Sequence, residues 1–105
     1  MEKSLLLIDD EPNILRALKR LFSENNYQIF TANDAIEGLD LLAKHPIQVI
    51  ISDQRMPKMT GTEFLIKVNK LYPDTVRMIL SSCADFAAVK DAINDGAVYK
   101  FLNKP

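Results

Sequence analysis

Thiol chemistry is almost absent from this chain of 105 residues, since Cys83 is its single cysteine. One thiol excludes an internal disulfide framework and fits a reducing compartment, and its default role is that of a small buried hydrophobe. Glycine is nearly as scarce. Gly38, Gly61 and Gly96 stand singly, so no glycine-rich loop follows the first apolar run, which argues against a nucleotide-binding domain. Long hydrophobic runs are missing too: residues 5–8 are apolar but give way at once to Asp9, Asp10 and Glu11, far too short a stretch for a signal sequence or a membrane span. A cytoplasmic protein without membrane contact is expected. Neither sign of charge dominates, because 13 basic residues face 14 acidic ones and leave a formal net charge of -1. That balance supplies no bulk attraction to nucleic acid, and no direct nucleic-acid binding is expected. There is no repeat, low-complexity stretch or linker, so the chain suits one compact domain over 1–105 with one core and one site.

Short apolar runs at 5–8, 29–32, 49–51, 78–80 and 98–102 alternate with longer segments of helical spacing. Ile14, Leu15, Leu18, Leu21 and Phe22 share one helical stripe, as do Phe64, Leu65, Val68 and Leu71, and then Phe86, Val89, Ala92 and Ile93. Residues 34–44 are also helical in pattern, with Ile36, Leu39 and Leu42 facing inward and Pro46 stopping the helix. This alternation predicts an α/β fold, a doubly wound five-stranded parallel sheet in the flavodoxin-like order 2-1-3-4-5, the common solution for right-handed crossovers at this size. No fifth helix follows the fifth strand within these 105 residues, so the expectation is that the sequence is trimmed after that strand or that a partner covers the sheet face beside the first helix.

In that order the first and third strands are neighbours where the strand order reverses, which would bring Asp9 and Asp10 to Asp53 in one crevice at the strand ends. Like charges at close range raise one another's pKa, and a bound divalent cation is the usual means of holding them ionised. An all-oxygen donor set with no His or Cys suits Mg2+, with Mn2+ as a substitute. Asp10 also fits the N-cap of a helix opening at Pro12, and the two roles are compatible. The fourth strand ends at Ser81 and the fifth near Lys104, which would place a hydroxyl and an ammonium at the same rim. A cation, a hydroxyl donor and a divalent metal around one carboxylate suit the holding of an added phosphoryl group, and carboxylate nucleophiles do form aspartyl phosphates. The plainer alternatives are a serine that satisfies a strand end and a solvated terminal lysine. His45, just before Pro46, fits a solvated or helix-capping role.

Asp9-Asp10-Glu11 after an apolar strand, Ser52-Asp53-Gln54-Arg55-Met56-Pro57 followed by Gly61, and Lys104-Pro105 after Phe101-Leu102 together resemble the receiver domains of two-component response regulators, over the whole chain. The resemblance implies that Asp53 is the phosphoacceptor, and that Asp10, Asp53 and the backbone carbonyl of Arg55 ligate Mg2+, with Asp9 acting mainly through water. It makes Ser81 and Lys104 the partners of the phosphoryl group, Ser81 and Phe101 the switch residues, and the bond before Pro105 a cis peptide. Phe101 equally fits a core aromatic on the fifth strand. A sensor histidine kinase or phosphotransfer protein would be the donor, and an output domain or effector protein would respond to the surface of the fourth helix and fifth strand. A homodimer would form through that surface or through the uncovered sheet face. The chain would be a signalling switch that catalyses only its own phosphoryl transfer and dephosphorylation. Ser82 departs from the small Ala or Gly common at its position, and its hydroxyl would alter access of water to the phosphoryl group. The Asp-Gln-Arg-Met-Pro wording is often joined to output domains that hydrolyse cyclic dinucleotides, and the Arg55 side chain is expected in solvent. Phosphohydrolases with an aspartate nucleophile carry a second acid two residues later, where this chain has Arg55, which argues against that rival.

Overall fold

The computed structural model describes residues 3–82 and 85–103. Five strands, β1 (Lys3–Ile8), β2 (Tyr27–Ala32), β3 (Val49–Asp53), β4 (Val76–Ser81) and β5 (Lys100–Asn103), pair in parallel in the order β2-β1-β3-β4-β5. Four helices connect them: α1 (Pro12–Phe22), α2 (Ala35–Lys44), α3 (Gly61–Leu71) and α4 (Phe86–Asn94), with a 3-10 turn over Ser23–Asn25. This is the doubly wound flavodoxin-like arrangement that the alternation of runs predicts.

The apolar run of β1 is continuous because both faces of that strand are buried. Leu6 and Ile8 point to the side covered by α2, α3 and α4, where Ile50, Ile79, Phe64, Leu65, Val68 and Val89 complete the larger core. Leu5 and Leu7 point to the opposite side, against Leu15 of α1, Ile51 and Leu80. Complete burial of one such side chain contributes roughly 1.5–3 kcal/mol, so Phe64 and its neighbours dominate the folding free energy. On the α1 side Ile29, Val49, Met78 and Leu102 are only partly buried, and α1 is the sole helix there among the described residues.

Helix starts follow their capping chemistry. Asp34 accepts the Glu37 amide at 2.8 Å while the Glu37 carboxylate accepts the Asn33 amide at 3.0 Å. Thr60 and Glu63 form a reciprocal capping box at the start of α3. Helix α1 opens with Pro12 at its first position, but its N-cap is Glu11 rather than Asp10 and no side chain caps it.

The inward faces differ from expectation at a few positions. Ile36 is 57% exposed, because the buried stripe of α2 runs through Ala35, Gly38 and Leu42, with Leu39 beside it, and Ile36 lies about a quarter turn away. Leu21 is 65% exposed, since no neighbouring helix among the described residues flanks α1, and Leu71, 58% exposed, ends α3 at the rim of a cleft. The fifth strand begins at Lys100 rather than residue 98. The amides of Ala97 and Val98 both bond to the Ala92 carbonyl, at 3.0 and 3.1 Å, so these apolar residues close the end of α4 and fill the core without joining the ladder. Arg77 fixes this corner from within, its guanidinium donating to the carbonyls of Ala97 at 2.8 Å, Pro73 at 3.2 Å, Gly96 at 3.2 Å and Thr75 at 2.6 Å. Burial pulls its pKa below the ordinary arginine value.

Candidate functional site

The register Ile8↔Ser52 sets the ends of β1 and β3 side by side, and the residues that follow each strand meet there. One carboxylate oxygen from each of Asp9, Asp10 and Asp53 lies within 4.8 Å of the other two. Asp9 is fully buried and Asp53 is 4% exposed, whereas Asp10 reaches solvent. The backbone directs Asp9: its amide donates to the Ala32 carbonyl at 3.2 Å, and its Oδ1 accepts the Glu11 amide at 2.9 Å, turning the chain toward α1. Asp10 and Asp53 border an open crevice of about 320 Å³, lined also by Glu11, Arg55, Ser82 and Asp85, while Asp9 is buried beside them. A larger cleft of about 550 Å³ lies between the 42–48 and 71–75 segments, near the amino ends of β3 and β4, and no comparable carboxylate group borders it among the described residues. All-oxygen donors at this spacing fit a hard divalent cation such as Mg2+, which would offset their mutual repulsion.

The loop after Asp53 is held tightly. Gln54 is buried and brackets Thr62, donating to its hydroxyl at 3.1 Å and accepting its amide at 2.9 Å, while the Gly61 amide bonds to the Gln54 carbonyl at 3.0 Å. These bonds draw the start of α3 onto the end of β3 so closely that a Cβ at Gly61 would lie 2.2 Å from the Asp53 carbonyl oxygen. Only glycine fits there.

On the other side of the crevice, β4 ends in Ser81, which is 1% exposed and pairs with Asn103 at the end of β5. Its hydroxyl donates to Asp85 Oδ2 at 3.2 Å, and the Ser82 hydroxyl is 3.5 Å from the same oxygen. Arg55 grips Asp85 with two nitrogens, Nε at 2.9 Å from Oδ2 and Nη2 at 2.8 Å from Oδ1. The Arg55 guanidinium holds the Asp85 carboxyl below the usual carboxylate range, and Asp85 in turn raises the pKa of Arg55. Phe101, half-buried on β5, packs edge to face on Phe86 of α4 with ring centres 5.4 Å apart.

The structure therefore gathers Asp9, Asp10 and Asp53, sets Ser81 beside the same crevice and puts Phe101 next to α4. Lys104, Pro105 and Cys83 lie outside the described residues. The expectation that the Arg55 side chain is simply solvated is corrected: it is 74% exposed yet ion-paired, because Asp85 lies within its reach. His45 ends α2, its amide bonding to the Leu41 carbonyl at 2.9 Å and its ring stacked on Phe30 at 4.5 Å. Two features escaped sequence reasoning, the Gln54–Thr62 bracket and Asp85. No spacing rule signals either, since each depends on how a loop folds back.

Comparison with known proteins gives the family. The model for the response regulator receiver domain matches residues 5–105, and the chain belongs to that family, whose members are the receivers of two-component systems. Among curated relatives, the hydrogenase transcriptional regulatory protein HoxA of Cupriavidus necator is 35% identical over 104 residues, covering 99% of this chain and 21% of HoxA. The chain thus spans about a fifth of that relative's length. An uncharacterized protein from Neptuniibacter caesariensis has a crystal structure that matches with a TM-score of 0.95 at 42% identity, covering 98% of this chain and 76% of that one. The response regulator TrrA of Thermotoga maritima, solved in complex with Mg2+-BeF, matches with a TM-score of 0.85 at 27% identity, covering 98% and 87%. No helix among the described residues is long and apolar enough to cross a membrane.

Proposed function

We propose that residues 1–105 act as a phosphoacceptor switch in which Asp53 takes a phosphoryl group from a sensor histidine kinase or a phosphotransfer protein. The observation that carries this reading is the meeting of Asp9, Asp10 and Asp53, from two adjacent strand ends, within 4.8 Å. Asp9, Asp10, Asp53 and the backbone carbonyl of Arg55 would hold Mg2+, Asp9 mainly through water. When bound, the ion would neutralise charge on the carboxylates and the incoming phosphoryl oxygens.

Asp53 is suited to the acceptor role because it is the nearly buried member of the cluster that faces both Asp10 and the β4 side of the crevice. Its oxygen would attack phosphorus in line as the bond to the donor imidazole breaks, and the imidazole would keep the released electron pair. Little covalent chemistry is asked of the protein, so positioning does most of the work. Ser81 would donate a hydrogen bond to the new dianion and Lys104 would pair with it. The half-buried Phe101 ring would then turn inward, changing the α4 and β5 surface read by an output domain, an effector protein or a second copy of the chain. Driving such a switch from mostly off to mostly on takes ~5.5 kcal/mol of differential stabilisation, which several charge-assisted bonds can supply. The partly exposed sheet face beside α1 offers a second surface for a homodimer.

Incubation with acetyl phosphate tests the reading. Wild-type protein with Mg2+ should gain one phosphoryl group by mass, while addition of a chelator and the Asp53→Asn substitution should each abolish the gain. Steady release of phosphate without a labelled protein would instead indicate a hydrolase, and persistent labelling of Asp53→Asn would move the acceptor elsewhere.

A further inference from the structure

Asp85 occupies the N-cap position of α4, yet it makes no side-chain bond to the first turn of that helix. An aspartate at this position ordinarily accepts one of the free amides there. Here the carboxylate is turned back over the crevice, where it takes the Ser81 hydroxyl at 3.2 Å and the two-pronged Arg55 pair at 2.8 and 2.9 Å. A serine hydroxyl has a single proton to donate, and Ser81 gives its proton to Asp85. Arg55 follows Asp53 by two residues and Asp85 opens α4, so the contact ties the acceptor loop to the fourth helix across the mouth of the crevice.

We propose, resting on the acceptor reading above, that Asp85 is a positioning residue which, held by Arg55, latches the Ser81 hydroxyl, and that this latch opens when a phosphoryl group occupies Asp53. A dianionic phosphoryl group is a stronger acceptor for Ser81 than a carboxylate already shared with a guanidinium. Once Ser81 and Arg55 let go, Asp85 is free to cap the amide of Ala87 or Ala88, the second and third positions of α4. Phe86, the first residue of the helix, already packs on Phe101. Occupancy of the acceptor would thereby reach the first turn of α4 and the Phe101 ring through one carboxylate. The same latch sets a resting cost on phosphorylation, because the Ser81–Asp85 bond must break before Ser81 serves the phosphoryl group.

A double-mutant cycle read by beryllofluoride affinity in the presence of Mg2+ tests this, with binding followed by backbone amide shifts. Asp85→Ala should tighten binding in the wild-type background by roughly tenfold more than in a Ser81→Ala background, the lower end of the worth of one hydrogen bond to a charged acceptor. Asp85→Ser, which keeps a good helix cap but is too short to span to Arg55, should show the same excess and guards against loss of α4. An equal gain in both backgrounds would mean that Asp85 acts only by its charge, and the latch would be wrong while the acceptor reading stood. Failure of the wild-type protein to bind beryllofluoride would overturn both.

Discussion

Replacing Gly61 by alanine probes the junction between β3 and α3 with a single methyl group. The added Cβ would sit 2.2 Å from the Asp53 carbonyl oxygen and 2.6 Å from Ile79 Cδ1, where ordinary contact begins near 3.4 Å. Ile79 can rotate, but a strand carbonyl cannot, so the start of α3 must retreat by about 1 Å. Overpacking of that kind costs about 1–3 kcal/mol. The retreat also stretches the Gly61 amide bond to Gln54 O, 3.0 Å, and the Thr62 amide bond to Gln54 Oε1, 2.9 Å, adding about 1 kcal/mol. A net loss of about 2–4 kcal/mol should appear as a lower midpoint in urea at unchanged slope, and as a fall in Tm of roughly 10–20 °C. Gly96→Ala serves as the control. Its backbone is left-handed at φ +79° but no atom lies within 4 Å, so that change should cost only about 1 kcal/mol. If Gly61→Ala proved as stable as Gly96→Ala, the close approach of α3 to Asp53 would be refuted.

Three further outcomes are expected. Arg77→Met leaves the carbonyls of Thr75 and Ala97 without their donors and should cost about 2–4 kcal/mol in urea melts; Arg77→Lys should recover little of it, because an ammonium cannot span four carbonyls. Thr60→Ala should destabilise by about 1 kcal/mol at neutral pH through loss of the α3 cap. Bonds from the Thr60 amide and hydroxyl hold the Glu63 carboxyl below its ordinary range, so their stabilisation is complete above the unfolded pKa and fades as pH falls through the folded one; the gap between wild type and Thr60→Ala should narrow in acid. Ile36→Ser should change stability by no more than about 0.5 kcal/mol, whereas Leu42→Ala should cost about 2–5 kcal/mol, which distinguishes the exposed and buried faces of α2.

Much of the fold was legible because its signals are local. A strand buried on both faces, such as β1, shows as an unbroken apolar run, and parallel topology follows once such runs alternate with helical stripes. The acidic cluster was legible for the same reason, since Asp9 and Asp53 directly follow or end their strands and the strand order does the rest. Hydrophobicity failed where apolar residues serve loops or flanks. Ala97 and Val98 resemble strand residues but close a helix, and Ile36 resembles a core residue but lies off the stripe. Asp85 was not legible at all. Its importance arises from a guanidinium that comes 30 residues earlier in the chain, and no periodicity encodes that meeting.

In the proposed function, three carboxylates from two chain segments form one divalent-cation site around Asp53. Mn2+ titration watched by paramagnetic broadening of backbone amides tests it most directly. Broadening should begin at Asp9, Asp10 and Asp53 together, spread to Arg55 and Ser81, and vanish from all of them with Asp53→Asn. Broadening that started instead at exposed acids elsewhere, such as Asp40 or Glu37 on α2, or that affected Asp10 without Asp53, would contradict it.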